Sequence, residues 1–105
     1  MTFLLYGSRR TGRARADSDW DIVYVPEKRL SMPDSRFWGD VSACVMQHLG
    51  WYDEVNKLIS LAREEFSIPA EDEVDLFILL SHGETPYLAL LEWDDNHGCL
   101  AGWIY

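Results

Sequence analysis

The sequence predicts an α+β fold, because short apolar runs bounded by turn residues occur together with longer segments of helical periodicity. The chain has 105 residues, of which 48% are apolar and 26% are charged, proportions that are typical of a globular protein. A chain of this length can bury one modest core. We therefore expect a single domain that covers residues 1–105.

The first predicted strand leads into a turn. Thr2–Tyr6 is apolar and rich in strand-forming residues, and the Gly7-Ser8 pair that follows it turns the chain. Ser8 is a suitable cap for a short helix over Arg9–Thr11, and Gly12 would end that helix. We expect the next residues, as far as Ser18, to form a loop.

The second strand is predicted over Asp19–Val25, and Pro26 ends it. Side chains of a strand alternate between its two faces, so odd-numbered and even-numbered residues point in opposite directions here. One face then carries Asp19, Asp21, Val23 and Val25, and the other carries Trp20, Ile22 and Tyr24.

Two helices are predicted in the middle of the chain. Apolar residues recur at helical spacing through 35–49, with Asp34 or Ser35 as the N-cap and Gly50 as the stop. We expect Asp53 to cap a second helix, which ends before Pro69. Its inner face would consist of Val55, Leu58, Ile59, Ala62 and Phe66.

A third strand is predicted over Val74–Leu80, an apolar run that contains one acid, Asp75. A charge inside a buried strand is costly unless it is paired or bound to a metal ion, so Asp75 requires an explanation. An edge position or an ion pair would also explain it, and Glu73 on the same face is a rival ligand.

The C-terminal segment allows two interpretations. Thr85 followed by proline resembles a helix start, which favours a helix over Pro86–Trp93 and a last strand over Leu100–Tyr105. The alternative is a hairpin formed by Tyr87–Trp93 and Cys99–Tyr105.

Charge is unevenly distributed along the sequence. The net charge is −9, yet residues 1–36 contain seven of the nine basic residues and only five acidic ones. Residues 37–105 contain two basic and thirteen acidic residues, which argues against binding to duplex nucleic acid, since such binding depends on neutralising phosphates. The positive charge is concentrated in Arg9, Arg10, Arg13 and Arg15, which suggests a local anion site. For Arg13 and Arg15, a solvated basic loop is the alternative.

Asp19 and Asp21 are two residues apart at the start of a predicted strand, which places both carboxylates on one face. Two carboxylates on one face repel unless a cation lies between them. Mg²⁺ suits this place because it prefers oxygen ligands and keeps positions open for substrate phosphates. The stretch therefore predicts a site that handles nucleotides.

The spacing of Gly7-Ser8, ten residues and Asp19-x-Asp21 resembles the signature of the DNA polymerase β-like nucleotidyltransferase superfamily. The fuller stretch YGSRRTGRARADSDWDIVYV is similar to minimal nucleotidyltransferase domains, bacterial and archaeal proteins that are often paired with HEPN-domain partners. This match covers about a fifth of the chain. The later segment EVDLFILL extends the match, since the family often places a third metal carboxylate in a Val-Asp-Leu context, and Asp75 takes that position.

The resemblance implies a small mixed sheet with helices on one face, the nucleotidyltransferase fold. It also implies the transfer of a nucleoside monophosphate, with AMP favoured, from Mg·NTP to a hydroxyl group, with release of pyrophosphate. In this family reading Asp19 and Asp21 would bridge two Mg²⁺ ions, and Asp75 would hold the ion that activates the acceptor hydroxyl.

The same resemblance assigns the donor phosphates to the turn. Gly7 would let the backbone approach the phosphates, because glycine has no Cβ. Ser8 and nearby amides would cradle the triphosphate, and Arg9 would neutralise part of its charge.

The family usually has a helix before the first strand and often needs another domain for the acceptor. We therefore expect a protein partner, with AMP transfer to a HEPN-type toxin favoured, or a second copy of the chain. Two other functions stay open: an antitoxin or interaction module that acts by contact without catalysis, and nucleotidyl transfer to a small molecule such as an aminoglycoside.

Cys44 and Cys99 follow no metal or redox spacing, and we expect both to be reduced thiols. No apolar run approaches the roughly 20 residues that span a bilayer. The N-terminus also lacks the features of an export signal, so we expect a cytoplasmic protein.

Overall fold

The computed structural model describes residues 2–15, 18–28, 30–31, 34, 38–49, 52–93 and 100–101. These residues form helices and strands in a mixed order, which confirms the predicted α+β class. In chain order the elements are β1 (Thr2–Tyr6), α1 (Ser8–Thr11), β2 (Trp20–Val25), α2 (Trp38–Leu49), α3 (Tyr52–Glu65), β3 (Val74–His82), β4 (Thr85–Leu90), β5 (Glu92–Trp93) and β6 (Leu100–Ala101).

Four of the strands form one mixed sheet in the order β1-β2-β3-β4. β2 pairs with β1 in the antiparallel sense and with β3 in the parallel sense, and β4 is antiparallel to β3. Parallel neighbours need a long crossover connection, which α2 and α3 provide between β2 and β3. β5 and β6 form a separate two-stranded antiparallel ribbon.

One face of the sheet forms the core with α2 and α3. On β2, Ile22 is fully buried on this face, and Trp20 and Tyr24 pack against the same cluster, as the alternation predicts. Burying a large aliphatic side chain stabilises a fold by about 1.5–3 kcal/mol, so this layer holds β2 and β3 together. The buried cluster consists of Phe3, Ile22, Val41, Val45, Val55, Leu58, Ala62, Ile68, Leu76, Ile78, Leu80, Ala89 and Leu91.

The opposite face of the sheet carries the predicted acidic residues together with apolar side chains. The strand register places Tyr6 beside Asp21, and Val23 beside Phe77. Tyr6 meets the ring of Phe77 edge-on at a centroid separation of 6.0 Å, but it is still 40% exposed. Leu4, on the same face, is 52% exposed, so this side of β1 is open to solvent.

The two predicted helices are present, but α3 begins at Tyr52, so Asp53 lies inside the helix and is not its N-cap as predicted. α2 contributes Val41 and Val45 to the core, and residues 35–37 of the predicted helix lie outside the described residues, as does the predicted stop at Gly50. All five residues predicted for the inner face of α3 are buried or packed against the core cluster.

α3 ends in a Schellman motif. Ser67 has a left-handed φ of 51°, the Ile68 amide donates to the Arg63 carbonyl at 2.9 Å, and the Ser67 amide donates to the Glu64 carbonyl. This reversal directs the chain towards β3.

The predicted helix over Pro86–Trp93 is wrong. Thr85–Leu90 is strand β4, which pairs with β3 so that His82 lies opposite Thr85. Gly83 and Glu84 form a two-residue turn with φ +61° at Gly83, and a positive φ at the first central position only is the pattern of a type II′ hairpin turn. The alternation of inward residues along β4 then outweighs the helix-start signal of Thr-Pro.

The alternative interpretation of the C-terminal segment, a hairpin, is correct in part. Glu92 pairs with Ala101, and Trp93 pairs with Leu100, in the antiparallel ribbon of β5 and β6. Residues 87–90 of that predicted hairpin belong instead to β4 and pair with β3. Residues 94–99 and 102–105 of the hairpin and of the predicted last strand lie outside the described residues.

In the part of the chain that the structure describes, no helix is both long enough and apolar enough to cross a bilayer.

Candidate functional site

The turn between β1 and α1 brings the backbone against a carboxylate. Gly7 has φ +69°, a conformation that L-residues rarely adopt. An ideal Cβ built on Gly7 would overlap Oδ2 of Asp21 and lie 3.4 Å from its Cγ. Glycine is therefore required here both by the backbone conformation and by the space that the Asp21 side chain occupies.

Asp21 and Asp75 are neighbours on adjacent strands. Asp21 is paired with Asp75 in the register of β2 and β3, and both are partly buried. Neighbouring strands lie about 4.8 Å apart, and paired residues point to the same face. The sequence prediction placed Asp75 with Asp19 and Asp21 only by resemblance, whereas the register places Asp75 beside Asp21 directly.

Asp19 lies just before β2, which begins at Trp20 and not at Asp19 as predicted. Its side chain is exposed, and it forms no hydrogen bond or ion pair with the described residues. Burial, and after it the negative charge of Asp19, raises the pKa of Asp21 above 3.8. The two carboxylates are thus close enough to repel, and a cation between them would relieve this repulsion.

The predicted cap of the short helix is wrong by one residue. Gly7 is the N-cap of α1, Ser8 is its first residue, and no side chain caps this end. The Gly7 carbonyl accepts hydrogen bonds from the amides of Arg10 and Thr11 at 3.2 and 3.3 Å. Gly12 ends the helix in a left-handed conformation with φ +75°, as predicted.

Arg9 is held by three contacts within the chain. Its Nη2 donates to the Ser18 carbonyl at 2.7 Å and lies 4.0 Å from Oδ2 of Asp72. Its guanidinium lies 4.3 Å from the centroid of the Trp20 ring, a cation–π distance. The Arg9 side chain is only 17% exposed. Arg9 was predicted to contact phosphate, which stays a prediction, but its Nη2 group is already engaged by the Ser18 carbonyl.

Trp20 and Asp72 complete this network. The Trp20 indole Nε1 donates to Oδ2 of Asp72 at 3.0 Å, and the Trp20 amide donates to the Glu73 carbonyl at 2.9 Å. Arg63 donates to the Asp72 carbonyl at 2.7 Å and to the Pro69 carbonyl at 2.9 Å. The segment before β3 is thereby tied to the start of β2.

The other arginines of the loop point to solvent. Arg10, Arg13 and Arg15 are all exposed. The backbone of Arg15 is nevertheless fixed, because its amide donates to the Ser18 hydroxyl at 2.8 Å and its carbonyl accepts from the Ser18 amide at 3.1 Å. The cationic side chains of Arg10, Arg13 and Arg15 are thus accessible to solvent, while hydrogen bonds to Ser18 hold the backbone of Arg15.

A shallow groove of about 560 Å³ runs along the outer side of β1. It reaches the candidate site through Tyr6, which is the register partner of Asp21, and Arg10 supplies the one cationic side chain in its lining. Phe3, Leu4, Leu5, Val23 and Phe66 complete that lining. This volume lies within the range of small-molecule sites.

The three predicted metal ligands carry oxygen donors of the kind that Mg²⁺ prefers. Within the described residues, no three His, Cys, Asp or Glu side chains are grouped as a metal site. Glu73, the rival of Asp75, is exposed and precedes β3, and its carbonyl pairs with Trp20. The strand register thus favours Asp75 over Glu73 as the neighbour of Asp21.

Comparison with known proteins adds no family assignment: no family model matches the chain, and neither a curated protein nor a solved structure matches it.

Sequence reasoning missed the roles of Trp20, Asp72 and Ser18. The alternation placed Trp20 on the core face correctly, but it could not indicate that Arg9 would stack on the ring. Asp72 was only one member of the acidic lead into β3. The pairing of Trp20 with Asp72 joins residues that are 52 positions apart, and neither has a spacing that could reveal the partner.

Proposed function

We propose that this chain is a nucleotidyltransferase that moves a nucleoside monophosphate, AMP in the favoured case, from Mg·NTP to a hydroxyl group of another molecule. The observation that carries the proposal is the register of Asp21 with Asp75 on the sheet face where Gly7 meets Asp21. These are the three positions that the sequence resemblance links in one site. A solvated strand start would give no reason for a glycine packed against Asp21.

The carboxylates Asp19, Asp21 and Asp75 would hold two Mg²⁺ ions. Bound Mg²⁺ stabilises negative charge on the attacking and leaving oxygens of a phosphoryl transfer. The donor set fits this ion, because Mg²⁺ prefers carboxylate oxygens. Burial and the charge of Asp19 raise the pKa of Asp21, and a bound cation would favour its ionised form.

The turn and the basic loop would contact the phosphates. Gly7 has no Cβ, so its backbone can lie close to Asp21. The same backbone could then approach a phosphate that is bound to the metal ion held by Asp21. The Ser8 hydroxyl makes no cap hydrogen bond and could donate to a phosphate oxygen. The exposed Arg13 and Arg15 side chains can move to neutralise charge.

A protein hydroxyl is the favoured acceptor, and a HEPN-type toxin is the favoured partner. The support is the sequence resemblance, together with the exposed apolar side chains of Leu4 and Tyr6 on the face that carries Asp21 and Asp75. Such a protein surface beside the reacting groups suits a large acceptor better than a small one. Transfer from Mg·ATP would place the protein in the cytoplasm.

The test is transfer of label from α-labelled ATP in the presence of Mg²⁺ and candidate partners. We expect Asp19→Asn, Asp21→Asn and Asp75→Asn each to reduce transfer at least about 100-fold, equal to about 2.7 kcal/mol of lost transition-state stabilisation. Asp40→Asn, at an exposed acid in the first turn of α2, is the matched control and should retain full transfer. Equal transfer by the three variants and the wild type would refute the proposal.

The second candidate function is an antitoxin that acts by contact alone. The exposed Leu4 and Tyr6 also favour this function, because they offer an apolar surface whether or not the carboxylates react. The same variants distinguish the two functions. Neutralisation of a partner toxin that survives in Asp21→Asn but is lost in Leu4→Asp would support contact alone.

A further inference from the structure

Asp19 is the least supported of the three carboxylates. It lies outside β2, is exposed, and has no hydrogen bond or ion pair with the described residues. A carboxylate on such a residue binds a metal ion more weakly unless the backbone is held, because each freely rotating bond must be fixed on binding. Something other than Asp19 itself must therefore hold this position.

A single guanidinium holds the residues on both sides of Asp19. Arg9 Nη2 binds the carbonyl of Ser18, the residue before Asp19, at 2.7 Å. The same guanidinium stacks on the ring of Trp20, the residue after Asp19, at 4.3 Å. The backbone of Asp19 is thus fixed from both neighbours by one side chain that comes from α1.

The far end of this arrangement is anchored to the segment before β3. Asp72 accepts from Trp20 Nε1 at 3.0 Å and lies 4.0 Å from Arg9 Nη2. Arg63, at the end of α3, binds the Asp72 carbonyl at 2.7 Å. Arg9, Trp20 and Asp72 therefore connect α1, β2 and the approach to β3, which are the three segments that carry the candidate site.

The position of Arg9 is poorly suited to a mobile phosphate ligand. The Nε atom of Arg9 is buried and has no acceptor among the described residues. An incoming phosphate would have to displace the Ser18 carbonyl or Asp72 in order to use the Nη2 group. Such an exchange would release the backbone on both sides of Asp19.

We infer that Arg9 is a positioning residue, which stacks on Trp20 and binds the Ser18 carbonyl so that Asp19 is held beside Asp21 before any metal or nucleotide arrives. This inference rests on the proposed function for its catalytic consequence, but the positioning itself can be measured without nucleotide. It replaces the phosphate contact that the sequence resemblance assigned to Arg9.

The informative variant is Arg9→Lys. Lysine keeps the positive charge that a phosphate ligand needs, but it lacks the planar group that stacks on an aromatic ring while binding a carbonyl. A positioning role is therefore lost in Arg9→Lys, whereas simple charge neutralisation is largely kept. Asp72→Asn is the second variant, because it removes the ion pair with Arg9 and leaves an oxygen that can accept from Trp20.

The first readout is hydrogen exchange in the metal-free protein, followed by NMR at the Trp20 indole N–H and at the backbone amides of residues 19 and 20. We expect exchange to be at least about tenfold faster in Arg9→Lys, equal to about 1.4 kcal/mol, and to rise by a smaller factor in Asp72→Asn. Arg10→Lys, at the exposed neighbour on α1, should leave this exchange unchanged. Unchanged exchange in Arg9→Lys would overturn the inference.

The second readout is the split between kcat and KM in the transfer reaction. A positioning role predicts that Arg9→Lys lowers kcat about tenfold or more while KM for the nucleotide stays within about twofold. A raised KM with unchanged kcat would mean that Arg9 binds phosphate, and would overturn the inference. If the wild type transfers nothing, the proposed function fails, and the exchange data alone decide whether Arg9 positions Asp19.

Discussion

Two connections of the sheet begin with a glycine that has a positive φ, and they differ in what surrounds this glycine. Gly7 follows β1 with φ +69°, and Gly83 follows β3 with φ +61°. A Cβ on Gly7 would overlap the Asp21 carboxylate, whereas a Cβ on Gly83 would meet nothing within 4 Å. Glycine is thus required at position 83 by the backbone conformation alone. At position 7 it is required both by the backbone conformation and by the nearby Asp21 carboxylate.

The two connections also differ in length and in their internal contacts. The hairpin between β3 and β4 has only Gly83 and Glu84, both exposed. The connection between β1 and β2 is much longer, yet Arg9 and Ser18 give it hydrogen bonds of its own. Lengthening a loop costs little free energy, so loop length alone does not explain these hydrogen bonds. Their presence suggests that they serve the site that the connection forms.

The largest effect on stability is expected for Gly7→Ala. A side chain at this φ costs about 1–2 kcal/mol, and the overlap with Asp21 adds about 1–3 kcal/mol. Urea unfolding should show a loss of about 2–5 kcal/mol, and label transfer should fall with it because Asp21 is displaced. A loss no greater than that of Gly83→Ala would contradict the close approach of Gly7 to Asp21.

Gly83→Ala should cost less, because only the backbone strain remains. We expect the free energy of unfolding to fall by about 1–2 kcal/mol, with label transfer unchanged in the folded protein. The difference between the two alanine variants measures the contact with Asp21. If Gly83→Ala also abolished transfer, the two connections would not differ in function as we propose.

A gain in stability is expected for Ser67→Gly. Ser67 is the third position to compare, since it has φ 51° without being glycine and is exposed after α3. Glycine is the preferred residue at this place in a Schellman motif. Thermal or urea unfolding should show an increase of about 0.5–1 kcal/mol, with no effect on transfer. A decrease would mean that the Ser67 side chain makes a stabilising contact.

The smallest change in stability is expected for Asp21→Asn, and its sign depends on pH. Burial and the charge of Asp19 raise the pKa of folded Asp21 above 3.8, so the folded state binds the proton more tightly than the unfolded state. The stabilisation that this group contributes is complete below its unfolded pKa and is lost as the pH rises through the folded pKa.

Asp21→Asn should therefore be more stable than the wild type at pH 7, with no such advantage at pH 3, as measured by urea unfolding at both values. Saturating Mg²⁺ should reduce the difference at pH 7, since a bound cation favours the ionised carboxylate. A variant that is less stable at pH 7 than the wild type would show that Asp21 is not under repulsion.

The sequence predicted the parts of the fold that depend on local periodicity. Alternation along β2 placed Ile22 in the core and Asp21 on the other face, and helical spacing identified the inner residues of α3. The prediction for the segment after Gly83 was wrong because Thr-Pro resembles a helix start. The two-residue turn that allows β4 to pair with β3 was not recognised in the sequence.

The candidate site could be predicted only in part, for a physical reason. The motif spacing proposed Gly7, Asp19 and Asp21 as site residues, and the family resemblance added Asp75 from its Val-Asp-Leu context. The role of Arg9 could not be predicted, because stacking on Trp20 and proximity to Asp72 depend on how three segments pack together. A positive charge in a loop looks the same in the sequence whether it points to solvent or is enclosed.

The central claim is that the acids beside Gly7 bind Mg·NTP, and Mn²⁺ broadening of backbone NMR signals tests it most directly. Mn²⁺ would be titrated into the labelled protein with a non-hydrolysable ATP analogue. We predict that the amides of Gly7, Ser8, Asp21 and Asp75 broaden first, and that Asp21→Asn removes this effect while Asp40→Asn does not. Broadening that first affects the acidic residues of 64–73, or that survives in Asp21→Asn, would contradict the claim.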